Sequence, residues 1–544
     1  MQLSALLFAG KYASLTSFFS VAYLAVFLPV CLLLYSLMPG RCKKYFLLLA
    51  SAVFYWLISG RLIVYLALSV LSVHYFGLWL DRLHMQRDAQ LKSVEKESRR
   101  KYKNFFQRRC RLVLLFAVAL HIGALLVIKY SPFFTSNINT LLRALHCSVQ
   151  LDIPRYLMPI GISFFTLQAL SYLIDVYRET EKADGNPFRL ALFLSFFPQI
   201  TEGPICRYRQ TAPQLWSVGK IEYANLTLGL QRILFGMMKK LVVADRLNPL
   251  IQEVFSNYRS YAGGVIAFAA VCYTMQLYMD FSGAMDAVSG TAQIFGIVMP
   301  ENFQRPFFSR SISEFWKRWH ITLGAWFKDY IFYPVTMSSP LKRLTASARK
   351  KLGNHFGPLL AGSIALFCVW LCNGLWHGAA WSYIFFGMYH FALILTGNAI
   401  APAVKACNRK LHINPESRPY RLLQMLRTGI LVVIGELFFR ADGLRAGLAM
   451  FGKMITDFHL PSIDNRLFSA PGVDWMDLVI VGVTLLIVWV VSLLNEKGIV
   501  VRASLRNAPV VLRWCVFYAL ILYIVIFGAY GPGYVPVDPM YANF

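Results

Sequence analysis

Acidic residues are scarce in this chain. Its 544 residues hold 27 Asp and Glu against 54 Lys and Arg, and charged residues of both signs make up only 15%. A soluble domain carries about 25% charge. The shortage, and the lack of any long polar block, argue against soluble domains strung along the chain. CxxC pairs are missing as well. The ten cysteines are scattered, mostly in apolar stretches, which implies neither a disulfide framework nor a zinc site. Cys368 and Cys372, one helical turn apart, are read as small packing residues. No convincing internal repeat occurs, which counts against a transporter built from duplicated halves. No serine stands in a nucleophile-elbow glycine pattern, so a covalent serine intermediate is not expected.

What is present is apolar. The chain is 57% hydrophobic with a mean hydropathy of +0.51, and apolar runs recur from end to end. This predicts an all-α polytopic membrane protein with roughly ten or eleven spans, at about 20 residues per span. A single membrane-embedded domain is expected over residues 1–544, with a core over about 18–440 and C-terminal helices over 441–544. The net charge is +27 and the pI about 9.7. In a soluble protein that would suggest nucleic acid. Here the lysines and arginines fall in short segments between apolar runs, the positive-inside pattern beside an anionic leaflet. Lipid is therefore the expected partner and nucleic acid is not. A basic cytosolic face also attracts an anionic acyl donor such as a coenzyme A thioester or an acyl-carrier protein. The N-terminus lacks a basic n-region and a small-residue cleavage site, so Phe18–Met38 is expected to be a retained first span.

Tyr45–Ile58 and Leu62–Leu80 read as the next spans, and Asp81–Arg111 as a charged cytosolic loop. In Pro154–Tyr177, Pro159, Gly161, Ser163, Thr166 and Gln168 interrupt an apolar run. Such backbone persists at membrane depth only against protein or a water-filled cavity. The turn Pro198–Pro204, with Glu202, is either a re-entrant or cavity-lining loop or a simple interfacial turn. Lys239 and Lys240 are expected at an interface, where lysine snorkels. Asp280 and Asp286 are expected to pair with a nearby arginine. Basic loops are expected at Leu341–His355 and Lys405–Arg427, and a mixed loop with Pro461 and Pro471 at Asp457–Asp477.

Two stretches carry histidine. Ser311-x-x-Glu314 is a capping box that starts a helix over Ser309–Tyr333. Trp316, Trp319, His320, Leu323, Phe327 and Tyr330 share one face of it, with Lys317, Arg318 and Lys328 beside or opposite, so the helix is expected to lie in the interface plane. The second stretch is Asn373-Gly-Leu-Trp-His377-Gly-Ala-Ala-Trp381, inside an apolar segment. An ionisable residue at membrane depth is a functional candidate by default. Trp370, Asn373, His377 and Trp381 share a face at helical spacing. Walls of Trp376, Trp381 and Phe385 are expected to keep the imidazole neutral and suited to general-base work. Asn373 is placed to orient His377 or to donate to an oxyanion.

Taken together, Pro159–Gln168 with Asp175-Val-Tyr-Arg178, Phe196-Phe-Pro-Gln199 with Gly203-Pro204, Asp280-Phe-Ser-Gly283, Ser313–His320 with Lys328-Asp-Tyr330, and Trp376-His-Gly378 resemble the membrane-bound O-acyltransferase family. The likeness is to its bacterial branch acting on exported polymers, and it runs from about Phe18 to Arg440. The resemblance implies that His377 holds the family's active-site histidine position and His320 the second one. It implies helices around a central tunnel, a donor admitted from the cytosol and an acceptor met outside. It also implies an extracytoplasmic partner protein that passes the acyl group to polysaccharide. Trp316, Lys317, Arg318 and Lys328 then become candidate donor-binding residues, with solvated interface charge the alternative reading of the three cations. No bound cofactor or metal is expected; the thioester, acetyl-CoA or a loaded carrier protein, is a substrate. The activity expected is O-acyl transfer, acetyl first, towards a cell-envelope polysaccharide at the inner or plasma membrane. D-alanyl transfer to teichoic acid, a transporter without bond chemistry, and a scaffold for a soluble enzyme are the alternatives.

Overall fold

The computed structural model describes residues 17–154, 156–459 and 473–530, so the expected prolines Pro461 and Pro471 lie outside the described residues. Among the described residues the fold is helical, and the one extended pairing is an isolated antiparallel bridge between Phe303 and Trp319. Eight helices among them are long and apolar enough to cross a membrane, and two shorter apolar helices, Ala22–Leu37 and Ile162–Tyr177, accompany them. Large apolar side chains such as Leu68, Phe116, Leu422 and Trp489 are exposed on these helices, as a surface facing lipid rather than water requires. The protein is a multi-pass membrane protein. The chain falls into two compact units, one over residues 1–230 with 288–300 and 541–544, the other over 231–287 with 301–540.

The first unit contains α1 (Leu28–Leu37), α2 (Lys43–Ser59), α3 (Ile63–Ser93), α4 (Arg99–Leu125), α5 (Ser131–Ala144), α6 (Ile162–Tyr177), α7 (Pro187–Ser195) and α8 (Tyr208–Trp216). The expected loop over 81–111 is almost wholly helical: α3 and α4 run through it and break only between Val94 and Ser98. Lys, Arg, Gln and Glu are good helix formers, so charge ends the apolar span without ending the helix. A contact between Ser72 Oγ and His121 Nε2, 2.8 Å, joins the two helices.

Helix α6 is buried along nearly its whole length, including Ser163, Thr166, Gln168 and Ser171. Its cap, Gly161, has φ +75°, and a methyl there would collide with the Ile200 carbonyl oxygen. Only glycine meets both demands. The turn over 196–204 is buried against it, with the Gln199 Nε2–H donating to the Phe193 carbonyl at 2.7 Å. That segment is an internal turn, buried in protein along its length.

The second unit begins within α9 (Tyr223–Met237) and continues through α10 (Asp245–Ser256) and most of α11 (Gly263–Ile294). Gly236 and Gly283 let α9 and α11 approach until a methyl on either would strike the other's carbonyl oxygen, a close crossing typical of membrane helices. Lys239 and Lys240 do not snorkel to an interface; both are buried. Lys239 pairs with Asp286 at 2.6 Å, and Lys240 with Asp280 at 2.7 Å and Asp245 at 3.1 Å. Arg232 bonds Asp286 at 2.9 Å and Glu301 at 2.5 Å. Asp286 thus meets the arginine expected for it, while the partner of Asp280 is a lysine. Four carboxylates fix the cations, because an unpaired charge at this depth is costly.

Six further helices complete this unit: α12 (Ile312–Arg318), α13 (Ile321–Phe327), α14 (Ser339–His377), α15 (Trp381–Lys410), α16 (Arg418–Arg440) and α17 (Leu444–Thr456), with α18 (Trp475–Glu496), α19 (Val501–Arg506) and α20 (Val510–Phe527) after them. The basic stretch over 341–355 is helical rather than looped, and Gly353 at φ +78° divides α14 there. Of the basic stretch over 405–427, only residues 411–417 lie between helices.

Candidate active site

The Ser311 cap is where the sequence places it. Ser311 Oγ accepts from the Glu314 N–H at 3.2 Å, and the Glu314 carboxylate accepts from the Arg310 N–H at 2.9 Å. The single amphipathic helix expected over 309–333 is not formed. It breaks at His320, whose φ of +47° and ψ of +51° are left-handed, and α12 and α13 lie on either side. A non-glycine residue keeps that conformation only when its surroundings impose it. Here a short extended pairing does so. The Gln304 N–H donates to the Arg318 carbonyl at 2.9 Å, and the Ile321 N–H to the Asn302 carbonyl at 3.0 Å. The kink turns His320 inward. It is 3% exposed, edge-on to Phe281 at 4.9 Å and to Trp376 at 5.7 Å.

His377 is the last residue of α14 and is 6% exposed. Trp376 lies 5.0 Å from its ring, Phe439 of α16 at 5.1 Å and Phe386 of α15 at 6.0 Å. The aromatic wall was expected; its members differ. The helix ends at His377, so Trp381 cannot continue its face: it opens α15 and is 54% exposed. Phe385 packs instead on Phe438, with ring centroids 4.5 Å apart. Trp376 therefore touches both imidazoles, and the two histidine stretches meet there. Burial, reinforced by the neighbouring His377, holds His320 well below the usual imidazole range, which leaves it neutral at physiological pH.

Asn373 lies one turn before His377 and is buried, with its Oδ1 unpartnered among the described residues. Trp316 faces the interior: its Nε1–H donates to His390 Nδ1 at 3.2 Å, and its ring lies 5.0 Å from Trp370. Arg318 is held by Glu314 at 2.9 Å and by Glu496 at 3.1 Å. Lys317 and Lys328 are exposed, Lys328 standing 5.5 Å over the Tyr333 ring. Of the seven expected site residues, His320, His377 and Asn373 are buried in this unit, Trp316 is partly buried, and the three cations lie towards its surface.

Three buried polar residues escaped the sequence reading. Asn302 bonds His320 and stands 18 positions away, a link that no helical period marks. His390 is fully buried, stacked on Trp370 at 5.4 Å, with Phe386 touching both it and His377. Glu436 is buried three residues before Phe439. A second histidine and a lone acid in apolar runs were the signals available for the last two.

Beside the histidines lies a cavity of about 610 Å³, wholly within this unit. Its lining is part ionic, with Arg232, Lys239, Asp286 and Arg502, and part apolar, with residues of α18 and α20. Its lining includes Asn302 and Phe303 but neither imidazole. The cavity thus ends one hydrogen bond from His320.

This is a helical membrane protein with two buried imidazoles gathered on one indole, next to an amphipathic cavity. The sequence model of the membrane-bound O-acyltransferase family, MBOAT, matches residues 52–348, and the chain belongs to that family. It is an acyltransferase. The matched region includes His320 and stops before His377. The chain is 30% identical over 440 residues to the probable alginate O-acetylase AlgI of Pseudomonas aeruginosa, covering 81% of this chain and 75% of that one. It is 28% identical over 464 residues to the peptidoglycan O-acetyltransferase of Helicobacter pylori, covering 80% and 78%. To the teichoic acid D-alanyltransferase of Bacillus subtilis it is 29% identical over 286 residues, 52% of this chain and 68% of that one.

Proposed function

We propose that the protein transfers an acetyl group from a cytosolic thioester, acetyl-CoA or a loaded carrier protein, towards a hydroxyl destined for an exported cell-envelope polysaccharide. It would work in the inner or plasma membrane with an extracytoplasmic partner that completes the transfer. His377 is the base. It takes the acceptor's hydroxyl proton as the oxygen attacks the thioester carbonyl; the C–S bond then breaks, and the thiol leaves with that proton. Neutral imidazole suits this work near pH 7. The observation that carries the reading is the convergence of His320 and His377 on the Trp376 ring, from stretches 57 residues apart, in a buried aromatic setting. Water exclusion there protects the thioester from hydrolysis.

The O-acetylases favour acetyl: they align over about four-fifths of this chain, the D-alanyltransferase over about half. D-alanyl transfer remains the second reading. The deciding experiment supplies purified protein, partner and polymer with radiolabelled acetyl-CoA, acetylated carrier protein or D-alanyl carrier protein. Ester formed from an acetyl donor and lost in His377→Ala supports the proposal. Ester from the D-alanyl carrier alone replaces acetyl with D-alanyl, and undiminished transfer by His377→Ala removes His377 as base.

A further inference from the structure

Asn302 is buried and its side chain is spoken for on both ends. Its Oδ1 accepts from the Thr322 N–H at 3.1 Å, from the Thr322 hydroxyl at 2.9 Å, and lies 3.2 Å from His320 Nδ1. Its Nδ2 faces the sulfur of Met285 at 3.2 Å. A main-chain N–H donates and never accepts. The atom of the Asn302 amide that faces Thr322 N is therefore the oxygen, and the amide cannot be turned over. An imidazole nitrogen against that same oxygen must carry hydrogen. The Asn302 carbonyl meanwhile accepts the Ile321 N–H at 3.0 Å, so one residue fixes both the left-handed backbone of His320 and its ring.

We infer that Asn302 is a positioning residue that locks His320 as the Nδ1–H tautomer, so that Nε2 presents a lone pair to the reaction. In that form His320 accepts a hydrogen from a substrate O–H or N–H group; it does not donate to a thioester oxyanion. If Nε2 takes a proton, the imidazolium keeps its Nδ1–H on Asn302 and the positive charge is met by an amide dipole. The inference deepens the acyl-transfer reading and rests on it only for the consequence in turnover; the tautomer itself is a property of the resting protein. Outer partners of this kind set which imidazole nitrogen is available.

The test is two-bond proton–nitrogen NMR on full-length protein labelled with ¹⁵N-histidine in lipid nanodiscs, with the His320 signals identified as those lost in His320→Gln. Wild type is expected to show a protonated Nδ1 and a bare Nε2. Asn302→Leu should give a mixed or reversed tautomer and lose turnover without a matching rise in donor KM. Thr322→Val keeps the main-chain N–H and should leave the tautomer unchanged. Asn302→Asp keeps the acceptor, and its carboxylate favours the imidazolium. It should preserve Nδ1–H and move the acid limb of turnover up by about one pH unit. Should Asn302→Leu fail to assemble, the wild-type spectrum and the Asn302→Asp profile decide. A wild-type His320 protonated at Nε2, an unchanged tautomer in Asn302→Leu, or an unmoved acid limb in Asn302→Asp overturns the inference. An active His377→Ala would overturn the base assignment and leave these spectra as they are.

Discussion

Two buried polar clusters sit in the same structural unit and are built on opposite plans. Around α9, α10 and α11, Lys239, Lys240 and Arg232 are each matched by carboxylates at 2.5 to 3.1 Å. Around α12 to α16, the rings described against His320 and His377 are aromatic: Phe281, Trp376, Phe386 and Phe439. The first plan holds charge permanently by pairing it. The second surrounds the imidazoles with aromatic edges, and burial there keeps His320 neutral. A buried ion pair is weak evidence of net stability but dear to break. A neutral imidazole in a dry pocket adds little to the fold and much to proton transfer. On the proposed function the one is a fastener and the other a reagent, and variants should separate them.

The sharpest separation comes from single variants in each cluster. His377→Ala should lower acyl transfer by about 10²–10⁴-fold, the span associated with a lost general base, while membrane insertion and thermal unfolding in detergent stay close to wild type. Asp286→Leu should do the reverse. It strands Lys239 beside Arg232, which keeps Glu301, and breaking a buried pair costs about 3–5 kcal/mol. The measurement is the detergent unfolding midpoint together with the yield of folded protein. Were His377→Ala to unfold the protein, or Asp286→Leu to spare its stability, the contrast between fastener and reagent would collapse.

A pH series sharpens the same contrast from the histidine side. His320 is held below its ordinary value, whereas the unfolded chain protonates it near pH 6.5. The native state therefore binds fewer protons than the unfolded state below about pH 6.5. Its contribution to stability is intact above that value and is lost as pH falls from there towards the native value. His320→Gln should flatten the acid side of the stability profile by comparison with wild type, and a profile of equal slope would contradict the burial argument.

How much of this was legible beforehand follows the physics of each signal. Apolar runs gave the membrane class because a bilayer demands about 20 apolar residues per crossing. Gly161 and the prolines flagged the buried turn, since only special residues tolerate that backbone. The cap at Ser311 was readable because a capping box is local. The break at His320 was not: it is imposed by pairing with residues 302–304, and the segment's own period argued for one continuous helix. Charge was misjudged twice for one reason. Sequence shows that Lys239 and Lys240 are charged but not that Asp286, Asp280 and Asp245 come round to meet them, and it shows a basic stretch at 81–111 without showing that the helices run on. Trp381 was assigned to the His377 face by counting turns past a helix end that Gly378 enforces with an extended backbone.

The smallest expected effect concerns the cations beside the histidine helix. Arg318 is held by Glu314 and Glu496 in a half-exposed network, and exposed pairs contribute about 0–1 kcal/mol. Lys317 and Lys328 are exposed and are read here as solvated charge. Their replacement by Gln, singly, should leave kcat unchanged and alter the donor KM by less than about threefold, and that little should fade with added salt because screening acts on exposed charge. Arg318→Gln should lower the unfolding midpoint slightly, through the lost tie between α12 and α18, with the same kcat. A large, salt-resistant rise in donor KM for Lys317→Gln or Lys328→Gln would place these lysines on the donor's phosphates. The reagent cluster would then reach beyond its aromatic walls to the protein surface.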